Sequence, residues 1–128
     1  MQWISTPQVE GSNPLRGTKF EEDVLNEKLK MYILVKEGIP LGHQVNGVAH
    51  ASLACYLQHE DDEEVEAWLG WSFKKVTCLV SEEEFERAKG FEDGLIMTES
   101  ALDGAETVIA FKPRYEWPEI FKTFRLFK

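Results

Sequence analysis

The sequence lacks the features typical of disulfide-rich, membrane-spanning and exported proteins. Its 128 residues include two cysteines, too few for a disulfide framework, and no apolar run approaches the roughly 18 residues that cross a bilayer. The first residues show neither the basic stretch nor the apolar core of an export signal. We therefore expect a cytoplasmic protein with reduced, buried thiols, no membrane association and no bound cofactor.

Charge is distributed unevenly along the chain. The formal net charge is −9 at pH 7, which argues against a nucleic-acid partner. Six carboxylates concentrate in residues 60–66, however, whereas residues 112–128 carry five cations against two anions. The C-terminal part could therefore face RNA. The competing interpretation is that both segments are ordinary solvated patches of opposite sign.

Residues 1–20 differ from the rest, because Gly, Ser, Pro and Asn are frequent and no helical or strand period is sustained. Residues 9–14 (VEGSNP) back-translate naturally to a stretch containing GGTTCGAATCC, which is typical of a tRNA T-arm. One interpretation is that the true translation start lies downstream of a tRNA gene. The other is a polar N-terminal extension. In both cases we expect the domain to comprise residues 21–128.

The apolar pattern predicts an α/β fold. The continuous run Met31–Val35 is typical of a strand buried on both faces, and residues 81–84 (SEEE) form a capping box that opens a helix. We expect three layers, with residues 31–36 central in a mixed four-stranded sheet and helices on both faces. The predicted strands are 31–35, 76–80, 95–97 and 107–111, the predicted helices are 43–58, 82–89 and 119–124, and a loop or short helix precedes the second strand.

The first strand, turn and helix form the most informative stretch. Ligands of open α/β sheets bind beyond the carboxyl ends of strands, where Gly42 would let the backbone approach an anion at a helix N-terminus. Turn chemistry alone is the competing interpretation of this glycine. On the helix, His43, Asn46 and His50 share one face beside a predicted apolar stripe. The predicted stripe consists of Val45, Val48, Ala49, Ser52, Leu53 and Tyr56.

The two histidines do not suit a metal site by themselves. They are two helical turns apart, about 10.5 Å along the axis, whereas both ligands of a zinc ion must lie within about 2.1 Å of it. His50 is better suited to orienting or relaying a proton, because the ordinary pKa of histidine lies near neutrality. The alternative is a border histidine bonded to a carbonyl.

The same helix resembles that of the type II peptidyl-tRNA hydrolases. Residues 42–51 read GHQVNGVAHA, where the family has roughly G-K-x-A-A-Q-x-A-H-A, and they follow a strand ending in Val35-Lys36. Residues 74–76 (KKV) and the capping box are similar to the family's strand-to-helix passage. Residues 121–128 (FKTFRLFK) look very close to the ending of the divergent peptidyl-tRNA hydrolase domain-containing proteins. The resemblance covers about three quarters of the chain.

The resemblance implies a hydrolase that cleaves the ester bond between a peptidyl group and tRNA. Several residues of the family motif are replaced in this sequence. His43 stands where the family has a lysine at the start of the helix, and Gly47 stands where it has a glutamine. The facing loop keeps a carboxylate as Glu99 but lacks the family's Thr-Gln pair. The implied catalytic residues are His50, Lys36, His43 and Glu99, and the implied substrate-binding residues are Gly42, Asn46 and Lys75.

Two other functions fit the sequence. One is a non-catalytic member of the same fold that binds a small anionic ligand or RNA. The other is a protein-interaction module that uses the acidic segment 60–66 together with Trp68 and Trp71 as exposed aromatic residues. The candidate partners are therefore tRNA, a small anionic ligand and, for a homodimer, a second copy of the chain.

Deletion of residues 1–19 should leave the thermal midpoint nearly unchanged, because their weak periodicity predicts no contribution to the core. Thermal melting of the full and truncated chains, followed by circular dichroism, measures the difference. A loss of several degrees would show that the segment packs on the domain.

Overall fold

The computed structural model describes residues 26–128, so the predicted N-terminal extension lies outside the described residues. The strands are β1 (Lys30–Lys36), β2 (Lys74–Val80), β3 (Gly94–Glu99) and β4 (Ala105–Arg114). The α-helices are α1 (Leu41–Gln58), α2 (Glu63–Gly70) and α3 (Glu82–Ala88), and two 3₁₀ helices span Ser100–Leu102 and Glu119–Thr123.

The four strands form one mixed sheet in the order β2-β1-β4-β3. β1 runs parallel to β2 and antiparallel to β4, and β3 pairs antiparallel with β4. Five consecutive residues of β1, Met31–Val35, are buried, as expected for a strand covered on both faces. The prediction that this strand is central in a mixed four-stranded sheet is confirmed.

Two hydrophobic cores lie on opposite faces of the sheet. Successive strand residues point to opposite faces, so Leu34 enters one core and Val35 enters the other. Because α1 and α2 cover one face and α3 covers the other, the predicted three-layer arrangement is confirmed. The α1-side core consists of Leu29, Met31, Ile33, Val35, Ala51, Cys55, Val65, Trp68, Val108 and Ala110, and the α3-side core consists of Tyr32, Leu34, Cys78, Val80, Phe85, Ala88, Ile109, Phe111, Trp117, Phe121 and Phe124.

The capping box that opens α3 forms as predicted. The Ser81 hydroxyl accepts a hydrogen bond from the Glu84 amide at 3.1 Å, and the Glu84 carboxylate accepts one from the Ser81 amide at 2.8 Å. Two amide groups that would otherwise lack partners at the helix start are thereby satisfied. The helix then presents Phe85 and Ala88 to the α3-side core.

The C-terminal part of the chain closes the α3-side core and the outer edge of β2. Pro118 precedes a 3₁₀ helix where an α-helix through 124 was expected, and Phe121 from this short helix contacts five other aromatic rings at centroid distances of 4.9–5.5 Å. The chain then pairs with β2: the Leu79 amide donates to the Arg125 carbonyl, and the Phe127 amide donates to the Thr77 carbonyl.

Helix α1 contacts the sheet through small side chains. Gly47, Ala51 and Cys55 are buried, and Gly47 passes so close to β4 that a methyl group there would lie 2.9 Å from a Val108 methyl. The predicted stripe was wrong for Ala49, which is exposed, and for Val45 and Leu53, which are 57% and 60% exposed. Since α1 contains no Asp, Glu, Lys or Arg, its sequence gives no charged face to mark the outward side.

Replacement of Gly47 by alanine should destabilise the protein by about 1–2 kcal/mol, because the cost of shifting Val108 to admit the new methyl group exceeds the gain in helix propensity. Gly42→Ala in the same helix is the matched control, since an added methyl group there meets no atom within 4 Å. Its stability should be unchanged or raised by up to about 1 kcal/mol through helix propensity. Urea unfolding of both variants measures the two effects, and equal stability would contradict the close approach.

Candidate functional site

The N-terminus of α1 lies just beyond the carboxyl end of β1. Gly38, with φ of +89°, turns the chain, and Pro40 precedes the helix without supplying a side-chain acceptor. The amide groups of the first helical turn therefore have no intrahelical acceptor, and the helix dipole makes this end partly positive. Gly42 is exposed and open on its Cβ side, so a ligand can approach the backbone there.

One pair of predicted site residues meets at this end. Nδ1 of His43 lies 3.6 Å from Oε1 of Glu99, which is within ion-pair range but longer than a hydrogen bond. The second carboxylate oxygen of Glu99 accepts a hydrogen bond from the Ala101 amide at 3.1 Å. Because that bond holds the carboxylate at the start of a 3₁₀ helix, Glu99 can orient the His43 ring. Both side chains are partly exposed.

Lys36 takes a different direction from the histidines. Its ammonium lies 4.6 Å from the centroid of the Phe85 ring, on the face of the sheet that carries α3. The alternation along β1 accounts for this, because Lys36 follows Val35, which points toward α1. The described contacts therefore join His43 to Glu99 and place the Lys36 ammonium elsewhere.

His50 and Asn46 are both exposed on the flank of α1 that carries His43. The spacing puts His50 two turns farther along the helix, about 10.5 Å from the level of His43. No described contact ties His50 to Glu99. Within residues 26–128, no group of three or more His, Cys, Asp or Glu side chains is arranged to hold a metal ion.

Lys75 lies at the other end of the sheet from His43. It pairs in register with Met31 near the start of β1, whereas α1 begins beyond Lys36 at the end of that strand. The strand rise separates these two levels by about 16 Å. The structure therefore assigns Lys75 to a second location, distinct from the His43–Glu99 pair.

That second location is an apolar groove of about 520 Å³ between α1, α2 and the start of β2. Leu53 and Tyr56 of α1 form one wall, and Trp68 of α2 contributes to the other. Sequence reasoning missed this groove because its α1 wall was assigned to the core. The available signal was the absence of charged residues along the whole of α1.

The Lys75 ammonium is embedded among aromatic groups at the rim of the groove. It lies 3.3 Å from the centroid of the Phe73 ring and 5.2 Å from that of Trp68, and it donates a hydrogen bond to the Phe73 carbonyl at 3.1 Å. Although the residue as a whole is exposed, loss of hydration around the ammonium lowers the pKa of Lys75 to about 8.

The two cysteine thiols have low reactivity. Both are free and buried, as the sequence predicted, and they belong to cores on opposite faces of the sheet. Burial raises the pKa of Cys55 to about 12 and that of Cys78 to about 11. Neither thiol therefore supplies an appreciable amount of thiolate near neutral pH.

The acidic segment has a structural role at the start of α2. Asp62 accepts a hydrogen bond from the Glu64 amide, and its other oxygen lies 2.9 Å from the Lys112 ammonium, which also lies 3.5 Å from Glu64. Trp68, predicted as an exposed contact residue, is only 1% exposed and donates its indole hydrogen bond to the Lys74 carbonyl. That prediction was wrong, because the short helix turns Trp68 into the α1-side core.

The cations near the C-terminal end are largely paired. Lys122 lies 3.4 Å from Glu119 and Arg125 lies 4.0 Å from Glu37, in addition to the Lys112 contacts. Paired charges attract phosphate less than free ones do, so this part of the chain gives weaker support to an extended RNA-binding surface. In the part of the chain that the structure describes, no helix has the length and apolar character needed to span a membrane.

Comparisons with known proteins add no family. No family model matches the chain, and no curated protein matches it at a significant level.

Replacing Lys112 with methionine should destabilise the protein by about 1 kcal/mol near neutral pH, because Asp62 and Glu64 lose a half-buried partner. The hydrogen bond from Lys112 lowers the pKa of Asp62, so this stabilisation is fully present above the ordinary aspartate pKa of about 3.9. It disappears as the pH falls through the lowered pKa of the folded state. Urea unfolding from pH 7 down to pH 2 measures both effects.

Lys122→Met is the matched control, since Lys122 and Glu119 form an exposed pair one turn apart on a short helix. It should change stability little at any pH. Equal effects of the two substitutions would contradict a special role for Lys112.

Proposed function

We propose that this protein is a divergent type II peptidyl-tRNA hydrolase that cleaves the ester bond between a peptidyl group and tRNA. The observation that carries the proposal is the approach of His43 to an oriented Glu99 at the N-terminus of α1. The order of family-like motifs along an α/β sheet of the expected class gives further support. A cytoplasmic location and a tRNA partner belong to the same proposal.

His43 is the candidate general base. With its Nδ1 proton held toward Glu99, Nε2 accepts a proton from a water molecule as that water attacks the ester carbonyl carbon. The carbonyl oxygen gains negative charge in this step, and the amide groups at the start of α1 are donors of the right sign for it. The bond from carbonyl carbon to the tRNA ribose oxygen then breaks, and His43 returns the proton to that oxygen.

His50 is the second candidate for the proton transfer, because it occupies the position of the family's site histidine. Its distance along α1 from Glu99 makes it better placed to contact the bound substrate than to share that carboxylate. Lys36, which is half-buried at the end of β1, could assist only after its ammonium leaves the Phe85 ring. His43 is therefore the first candidate for the general base.

A non-catalytic ligand-binding protein of the same fold is the alternative. Two observations favour it: the His43–Glu99 separation exceeds a hydrogen bond, and the Lys36 ammonium lies on the other face of the sheet. In that case the N-terminus of α1 and a protonated His43 would hold a small anion.

Hydrolysis of an N-acetylaminoacyl-tRNA by the purified protein tests the proposal. His43→Ala should lower kcat by a factor on the order of 10² to 10⁴, the usual contribution of a general base. Glu99→Gln should lower kcat by a smaller factor, since the carboxylate acts on the histidine and does not contact the substrate. Thermal melting should show each variant to be folded.

His59→Ala is the matched control, because His59 lies at the opposite end of α1. His50→Ala decides between the two histidines: a loss greater than that of His43→Ala would move the general base to His50. No turnover by the wild-type protein, together with saturable binding of an anion that His43→Ala weakens, would support the non-catalytic alternative. Full activity in both His43→Ala and His50→Ala would dismiss the site.

A further inference from the structure

The groove between α1 and β2 stands apart from the His43–Glu99 pair in both place and chemistry. Its lining is almost entirely apolar, and its volume of about 520 Å³ is within the range of small-molecule sites. We propose that this groove binds a small amphipathic carboxylate, with the apolar body against Leu53 and Leu69 and the carboxylate paired with Lys75. The site is independent of the function proposed above.

The charge of the groove selects an anionic head group. Among the described residues that line the groove, Lys75 is the only charged one, and none of the ion pairs described for residues 26–128 includes it. The described hydrogen bond to the Phe73 carbonyl uses one of three ammonium protons. A carboxylate can accept the others, and such a charge-assisted bond is stronger than one to a neutral group.

The loop that carries Phe73 is fixed in a conformation that places the Phe73 ring beside the Lys75 ammonium. Phe73 has φ of +55°, a conformation that bulky residues rarely adopt and that costs free energy. Two hydrogen bonds fix the loop, from the Phe73 amide to the Trp68 carbonyl and from the Trp68 indole to the Lys74 carbonyl. As a result, a ring that is 44% exposed stands beside the Lys75 ammonium at the mouth of the groove.

The same charge disfavours a second copy of the chain as the occupant. A symmetric contact in which α1 packs against α1 of a second copy would bring no helix carboxylate to Lys75, because α1 contains no Asp or Glu. Burying an ammonium group without an anion is costly. A carboxylate with an apolar tail satisfies both the ammonium and the apolar walls.

Decanoate is the probe, and decanol, which has the same chain and a neutral head, is its comparison in wild-type protein. Decanoate should bind with Kd below about 1 mM and about tenfold more tightly than decanol. Backbone amide NMR shifts should move for groove residues such as Ser52, Leu69 and Phe73 and not for the loop after Glu99. Above pH 8 the affinity for decanoate should fall as Lys75 loses its proton, while that for decanol stays constant.

Lys75→Met keeps an apolar stem, removes the charge, and should abolish the preference for decanoate. Lys74→Met is the matched control, because its neighbouring ammonium donates instead to the Glu27 carbonyl and should not matter. Ala49→Phe adds a ring to an exposed helix position in the groove lining and should block both probes. The proposal would be overturned if the wild-type protein bound decanoate and decanol equally, or if it showed no saturable binding. It would also be overturned if Lys75→Met kept the preference for decanoate, or if the protein formed a dimer that Ala49→Phe dissociates.

Discussion

Five consecutive side chains of β1 are withdrawn from water on alternating faces of one strand, and each neighbouring layer takes its position from them. Met31, Ile33 and Val35 anchor α1 and α2, while Tyr32 and Leu34 anchor α3 and the aromatic cluster around Phe121. A charged residue at any one of these positions would disturb the core on the face to which its side chain points. The burial of β1 is therefore the constraint from which the two faces, the helix positions and the separation of the two candidate sites follow.

The small residues on the inner side of α1 determine what its outer surface can do. Because Gly47, Ala51 and Cys55 bring the helix close to the sheet, several larger apolar side chains of α1 are left outside, among them Val45, Leu53 and Leu57. One flank carries His50 and, beside Glu99, His43, and the other forms a wall of the apolar groove. A single helix thus separates a polar site at the carboxyl end of β1 from an apolar site near its start.

The predictable parts of the fold are those that depend on residues close together in the sequence. The buried run of β1 and the capping box at Ser81 depend on local patterns, so both could be read from the sequence. The inward face of α1 could not, because an uncharged helix has apolar residues on every side and only the space beside Val108 selects Gly47 as a contact.

The candidate site shows the same division. The pairing of His43 with Glu99 follows from a helix start and a strand end that the motifs placed near each other. The direction of Lys36 depends on strand alternation at the final residue of β1, where a shift of one position changes the face. The groove around Lys75 depends on the left-handed conformation of Phe73, and a phenylalanine gives no sequence signal for that conformation.

The isolated β-bridge that residues 125–127 form beside β2 has a bearing on self-association. The sequence of β2, KKVTCLV, is rich in β-branched and apolar residues, and an uncovered edge of that composition is a template for intermolecular strand addition. Two hydrogen bonds from within the chain occupy that edge: the Leu79 amide donates to the Arg125 carbonyl, and the Phe127 amide donates to the Thr77 carbonyl. Release of residues 125–127 would expose this edge of β2 to strand addition by another chain, so solubility can depend on a few residues that hold no regular strand of their own.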